Sequence, residues 1–283
     1  MSKYHESPNI YVTEIVLKVE DINRSVEFYK NIMGLSILGQ KDREVILTAN
    51  GVKPMVTLIQ PENVIPKLPG RTGLYHFAIL LPNRIELGKF LKNIRDKEYP
   101  LIGGSNHGVS EAIYLEDPDG NGIEVYADTP ESNWDRDDER INMVTEVLDY
   151  MGLLKAAGDR EWKGISPESI IGHIHLHVAD LDKSLKFYEA LGFKLVQNMR
   201  NSAYFVSTGG YHHHIGFNIW NGRGAESLPE NSVGMKYFTI KYPNKELLNK
   251  ALGNLRNQSF EYSERENDIF VYDPSHNLIR LHL

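Results

Sequence analysis

The sequence predicts an α+β fold built from four βαβββ modules, and three observations carry the prediction. Leu17, Val19, Asp21, Ile22, Ser25, Phe28 and Tyr29 recur as Leu176, Val178, Asp180, Leu181, Ser184, Phe187 and Tyr188, each pair 159 positions apart. So many matches in one register mark a duplication. Asp117, Pro118, Asn121 and Ile123 recur as Asp273, Pro274, Asn277 and Ile279 at an offset of 156. Within each half, an alternating strand, an apolar segment at helical spacing and three short strands separated by Gly, Pro and Asn turns follow one another twice.

In the first module, residues 13–19 alternate as a strand, 23–32 carry apolar residues at helical spacing, and strands are expected near Leu35, Val45 and Val56. The second module opens at 75–81, passes through a helix near 83–97 and ends with strands 111–116 and 122–127. A charged, partly helical connector follows, long by loop standards and expected to wrap across the fold. The third module starts at 171–178, its helix covers 181–191, and its last strand is the histidine-rich stretch 211–220. The fourth runs from 235–242 through a helix at 245–256 to a closing strand at 278–283. Along the chain this divides into a two-module domain at 9–128, a connector at 129–168 and a second two-module domain at 169–283.

Composition narrows the function. Apolar residues make up 41% and charged residues 24%, which is ordinary globular usage, and 283 residues suffice for two domains. Thirty-one basic against 38 acidic residues leave a net charge of −7 without a concentrated basic surface, so nucleic acid is excluded as an expected partner. No run approaches the roughly eighteen apolar residues of a membrane span, and the first residues are polar, so a soluble cytoplasmic protein with no membrane partner is expected. The absence of cysteine removes disulfides, thiolate metal sites and thiol nucleophiles, and fits a reducing compartment. The 11 histidines are the remaining chemical resource.

Paired βαβββ units carrying Asp-Pro-Asp-Gly-Asn-Gly-Ile-Glu at 117–124 and Gly-His-Ile-His-Leu-His-Val at 172–178 resemble the vicinal oxygen chelate superfamily. This group includes glyoxalase I, fosfomycin-resistance enzymes and extradiol ring-cleaving dioxygenases, and four units in one chain is most similar to the catechol 2,3-dioxygenase-like and hydroquinone-dioxygenase-like members. The resemblance implies that each unit curls into half a barrel, so that the four form two half-open barrel domains. It also implies a metal held by a first-strand His from one unit, with a first-strand His and a last-strand Glu from its partner. Two histidines and one carboxylate leave further coordination positions open for substrate and O₂.

In one register, the first-strand positions are Glu14, His76, His173 and Tyr237, and the clearest last-strand positions are Glu124 and Arg280. Pairing modules three and four would offer His173, Tyr237 and Arg280, and a guanidinium has no lone pair to give a cation. Modules one and two would offer Glu14, His76 and Glu124. Only modules two and three supply the complete set of His76, Glu124 and His173. The expectation is therefore a shared cleft between the middle modules and a degenerate one between the outer modules, with sequential pairing as the open alternative. A single His on a half-buried strand is more often packed than metallated, which is the expectation for His175 and His177.

The resemblance further implies a proton-handling His on the last strand of the His-donating unit, within a His-x-aliphatic-small-Phe pattern. His213 to Phe217 match it and select His213, whereas strand alternation would turn His212 and His214 inward, so His214 stands as the alternate. Tyr114, ten residues before Glu124, is the expected oxyanion stabiliser, and His107 is a further cleft histidine at a shifted spacing. The implied activity is ring cleavage of a small aromatic diol with O₂, with Fe(II), Mn(II) or another divalent first-row metal as cofactor, and exposed barrel edges would allow a homo-oligomer. Two rival readings are a glyoxalase-like isomerase or thiol-adduct enzyme on the same scaffold, and a non-enzymatic protein that sequesters aromatic compounds.

Overall fold

The computed structural model describes residues 2–138, 140–265 and 268–283. Module one comprises β1 (Tyr11–Lys18), α1 (Ile22–Asn31), β2 (Ser36–Lys41), β3 (Glu44–Thr48) and β4 (Val56–Ile59). Module two comprises β5 (Gly73–Leu80), α2 (Arg84–Asp96), β6 (Gly103–Asn106), β7 (Ser110–Glu116) and β8 (Gly122–Asp128). The connector holds β9 (Arg136–Asp137), β10 (Arg140–Ile141), β11 (Glu146–Val147) and α3 (Tyr150–Ala157). Module three comprises β12 (Ile170–His177), α4 (Leu181–Ala190), β13 (Lys194–Met199), β14 (Ala203–Ser207) and β15 (Ile215–Asn218). Module four comprises β16 (Gly234–Lys241), α5 (Lys245–Asn257), β17 (Tyr262–Arg265), β18 (Asp268–Tyr272) and β19 (Leu278–His282).

Each module helix begins where a side-chain oxygen takes the first unpaired backbone N–H groups: Asp21, Asn83, Asp180 and Asn244. Their apolar faces bury Phe28, Tyr29, Phe90, Phe187 and Leu255 against the sheets. The strand expected at 211–220 is shorter than its sequence suggests. Gly209 and Gly210, at φ of 64° and 78°, turn the chain just before it, and the rings of His212 and His213 bond each other, so β15 begins only at Ile215.

The duplication runs along the chain, but the sheets are assembled across it. Modules one and four share an eight-stranded sheet in the order β17-β18-β19-β16-β1-β4-β3-β2, and modules two and three, with β11, a nine-stranded sheet in the order β11-β6-β7-β8-β5-β12-β15-β14-β13. The seams are the antiparallel pairs β1/β16 and β5/β12. Inside each module the first and last strands lie side by side and parallel, which makes their inward faces neighbours. The sheets curl into half-barrels.

What ties each sequence half together is the repeated motif itself. The Tyr29 hydroxyl donates to Asp117 at 3.0 Å, and the Tyr188 hydroxyl donates to Asp273 at 3.1 Å. Each of these buried carboxylates also accepts from the backbone and amide of an Asn four residues on, Asn121 or Asn277. The connector then crosses between modules. Gly88 admits α3 onto α2 so closely that a Cβ there would sit 2.2 Å from the Leu153 carbonyl oxygen. Further on, Trp134 packs against Tyr4 and Tyr211, and Gln197 of β13 donates to the Met143 carbonyl at 3.0 Å. Among the described residues, no helix is long and apolar enough to cross a membrane.

Candidate metal centre

The seam between β5 and β12 sets His175 opposite His76 and His173 opposite Ala78, while β8 runs on the other side of β5 with Glu124 beside Ala78. Ala78 thus lies between His173 and Glu124, and its small side chain leaves the space into which they converge. The alternate residues Phe77, Ile79, Ile123 and Val125 enter the apolar core. Glu124 Oε2 lies 3.0 Å from His76 Nε2 and 3.2 Å from His173 Nε2. The ligand atoms of the three residues all fall within 4.8 Å of one another, and all three side chains are buried.

The chemistry of this set fits a divalent cation. His76 Nε2 is buried and lies 3.0 Å from Glu124 Oε2 without a well-directed hydrogen bond to it or to any other described residue, a need that a metal ion would satisfy. Burial pushes His173 down to about 4 against the pull of Glu124, so its ring is neutral at pH 7. Burial by itself would raise the Glu124 carboxyl, but His173 and His76 hold it well below the usual carboxylate range. Imidazole with carboxylate suits first-row divalent ions.

The corresponding place in the outer sheet is filled differently. Arg280 Nη2 meets Glu14 Oε2 at 2.6 Å, its Nε donates to Thr239 Oγ1 at 3.0 Å, and its guanidinium lies 5.6 Å from the Tyr237 ring centroid. Thr57 donates to the other Glu14 oxygen at 3.0 Å. A positive side chain here stands where the inner sheet gathers ligands.

His76 and Glu124 open onto a cleft of about 910 Å³ whose walls include Tyr75, His107, Tyr114, Phe205, His213 and Trp220. His213 is the member of the histidine run that faces the cleft, with its ring centroid 4.1 Å from that of His173, and burial pushes it well below the ordinary histidine range. The alternate, His214, is turned away. Its Nε2 donates to the Tyr4 carbonyl at 3.1 Å and its Nδ1 accepts from Ser207 Oγ at 3.0 Å, because the run lies outside the regular strand and alternation does not govern it. Tyr114 and His107 are brought together: the Tyr114 hydroxyl donates to His107 Nε2 at 2.7 Å, and His107 Nδ1 donates to the Val144 carbonyl at 2.7 Å. His175 and His177 both bond Asn218, which donates to His175 Nε2 at 3.0 Å and accepts from His177 Nδ1 at 2.8 Å.

Sequence reasoning did not single out Asn218, Asp128 or a structural part for His212. For Asp128 a signal existed, since an even spacing along β8 puts it on the same face as Glu124 and Tyr126.

The profile described as the Glyoxalase/Bleomycin resistance protein/Dioxygenase superfamily matches residues 12–125, and one described as Bleomycin resistance protein-like N-terminal matches 171–209. A catechol-2,3-dioxygenase from Bacillus subtilis (strain 168) is 44% identical over 279 residues, covering 97% of this chain and 96% of the relative. Among solved structures, a protein from Bacillus subtilis subsp. subtilis str. 168 aligns with a TM-score of 0.65 at 14% identity, over 96% of this chain and 84% of that one. Glyoxalase I from Zea mays aligns with a TM-score of 0.59 at 17% identity, over 96% of this chain and 92% of its own. At such identities the structural likeness speaks for the fold.

Proposed function

Because the chain belongs to the glyoxalase/bleomycin resistance protein/dioxygenase superfamily, we propose that it is a metal-dependent dioxygenase that cleaves the ring of a catechol or hydroquinone-type diol with O₂. The observation that carries this reading is the convergence of His76, Glu124 and His173 from two modules beside a cleft with room for a substituted aromatic ring. These residues would hold Fe(II), with Mn(II) or another divalent first-row ion as the alternative. When bound, the ion supplies Lewis acidity and one-electron chemistry toward the diol and O₂. The three-ligand set supports ring cleavage over an isomerase that uses a carboxylate-richer, four-ligand sphere.

The chain's own residues do the rest. His213, kept neutral by burial, takes up a proton from a diol hydroxyl. Burial, reinforced by the charge of Glu124, raises the Tyr114 phenol well above its ordinary range, so it stays protonated at pH 7. Its hydrogen rests on His107 until a substrate oxygen competes for it. Tyr75, Phe205 and Trp220 offer ring faces and edges to an aromatic substrate.

Oxygen uptake by protein reconstituted anaerobically with Fe(II), across a panel of catechols and substituted hydroquinones, tests the proposal. Uptake matched by ring-opened product is expected. No uptake with any member of the panel overturns it.

A further inference from the structure

A carboxylate oxygen can accept a hydrogen bond but never donate one, and this asymmetry propagates through a row of side chains behind the cleft. Asp128, at the end of β8, accepts on Oδ1 from the Tyr211 hydroxyl at 3.1 Å and from His212 Nε2 at 3.0 Å. Nε2 of His212 therefore carries the hydrogen, and in a neutral ring its Nδ1 is left as an acceptor. The atom facing that acceptor, 2.8 Å away, is Nδ1 of His213, which must then be the donor. Nε2 of His213 is left as a lone pair.

The row joins two surfaces. His212 is fully buried, His213 lines the cleft, and Asp128 lines a separate pocket of about 250 Å³ that, among the described residues, shares no lining residue with the cleft. A second chain of contacts braces the same carboxylate: the Tyr126 hydroxyl bonds the Tyr211 hydroxyl at 2.7 Å, and the Tyr126 ring lies against His173, with centroids 5.0 Å apart. Gly172 makes room for that ring, since a Cβ there would meet the Tyr126 hydroxyl at 1.9 Å.

We propose that Asp128 and His212 are positioning residues for the reaction. They fix the plane and the tautomer of His213 so that its unprotonated Nε2 faces the diol. The inference rests on the ring-cleaving reading of the site and assigns the polarity of its base. In the step it serves, the diol O–H bond breaks, an N–H bond forms at His213 Nε2, and the electron pair stays on the diol oxygen. The resulting imidazolium keeps its Nδ1–H bond to His212, whose far edge rests on the Asp128 carboxylate.

Long-range ¹H–¹⁵N spectra of the full chain, labelled with ¹⁵N-histidine and stripped of metal by a chelator, read the tautomers directly. His212 is expected as the Nε2–H form and His213 as the Nδ1–H form. Asp128→Ala should abolish the single His213 tautomer, and Asp128→Asn, whose amide oxygen can still accept, should preserve it. In Fe(II)-loaded protein, Asp128→Ala and His212→Leu should each lower kcat about 100-fold, the scale of a positioned acid–base group, with KM and metal content unchanged. His212→Gln, which keeps a donor toward Asp128 and an acceptor toward His213, should recover most of that loss. An Nε2–H tautomer of His213 in the wild-type chain, or undiminished turnover in His212→Leu, overturns the inference. Failure of the functional reading looks different: it appears as no oxygen uptake by the wild-type protein, while the spectra still report the tautomers without metal or turnover.

Discussion

Replacing Glu124 by Gln exchanges a buried carboxylate for a neutral amide of the same shape, 3.0 Å and 3.2 Å from two imidazole nitrogens. In the wild-type chain the Glu124 carboxylate is the negative charge of the ligand set, and a divalent ion loses that attraction in the variant. A bound ion at 100 times its Kd stabilises a native protein by about 2.7 kcal/mol. Unfolding entropy of roughly 2.1 cal/mol/K per residue, taken over 283 residues, amounts to about 0.6 kcal/mol/K, so saturating metal should raise the wild-type Tm by about 5 °C. In Glu124→Gln the metal-induced rise should vanish at the same metal concentration, while the metal-free Tm should fall, because the two histidines hold the folded carboxyl below its usual range and that favourable attraction is lost with the charge. Scanning calorimetry with and without Mn(II), paired with elemental analysis of the dialysed protein, measures both quantities. Glu14→Gln, in the outer sheet, is the control and should leave the metal-induced rise intact. A rise of equal size in Glu124→Gln, or its loss in Glu14→Gln, would refute the assignment of the metal to the inner sheet.

Three further outcomes are expected. Tyr114→Phe should lower kcat roughly 10-fold with KM nearly unchanged, less than the loss of a free oxyanion donor because the hydroxyl is already engaged by His107; steady-state kinetics at matched metal content decides it. Arg280→Met should destabilise the chain by about 2–3 kcal/mol in urea titrations, below the full cost of breaking a buried pair because Arg280 is part-exposed, and adding Glu14→Gln should restore most of it; equal losses in the single and double variants would show that the pair is not the cause. Burial holds His5 down at about 4, so the folded chain resists a proton that the unfolded chain accepts below about 6.5. That contribution is present above pH 6.5 and is lost as pH falls toward 4, about 3 kcal/mol in all. His5→Asn should therefore flatten the acid limb of stability against pH, and an unchanged slope would contradict it.

Much of this molecule is written in local pattern. Strand alternation and helical spacing place β1, α1, β5, α2, β12, α4, β16 and α5 within a residue or two of their observed limits, because each depends only on which side chains a short segment buries. The 159- and 156-residue offsets mark a duplication whose repeated Tyr and Asp turn out to be bonded to each other, Tyr29 to Asp117 and Tyr188 to Asp273. The register that lines up Glu14, His76, His173 and Tyr237 is likewise a property of the repeat. Where local pattern stops applying, it misleads: the histidine run at 211–214 sits on an irregular turn, so alternation pointed to His214 while the turn presents His213.

The edges that join are a different kind of information. A βαβββ unit has the same inner and outer faces whichever unit it meets, so its residues alone leave the choice of partner open, and only the completeness of a ligand set argued for modules two and three. The tertiary structure makes that choice through the seams β5/β12 and β1/β16, and everything specific to the two clefts follows from it. Glu124 meets His173 across 49 residues of chain, and Asp128 meets His212 across 84, while Arg280 meets Glu14 across 266. Segment composition therefore determined the modules and the chemical types available at each strand. Long-range strand pairing alone decided that histidines and a carboxylate gather in one sheet while an arginine closes the other.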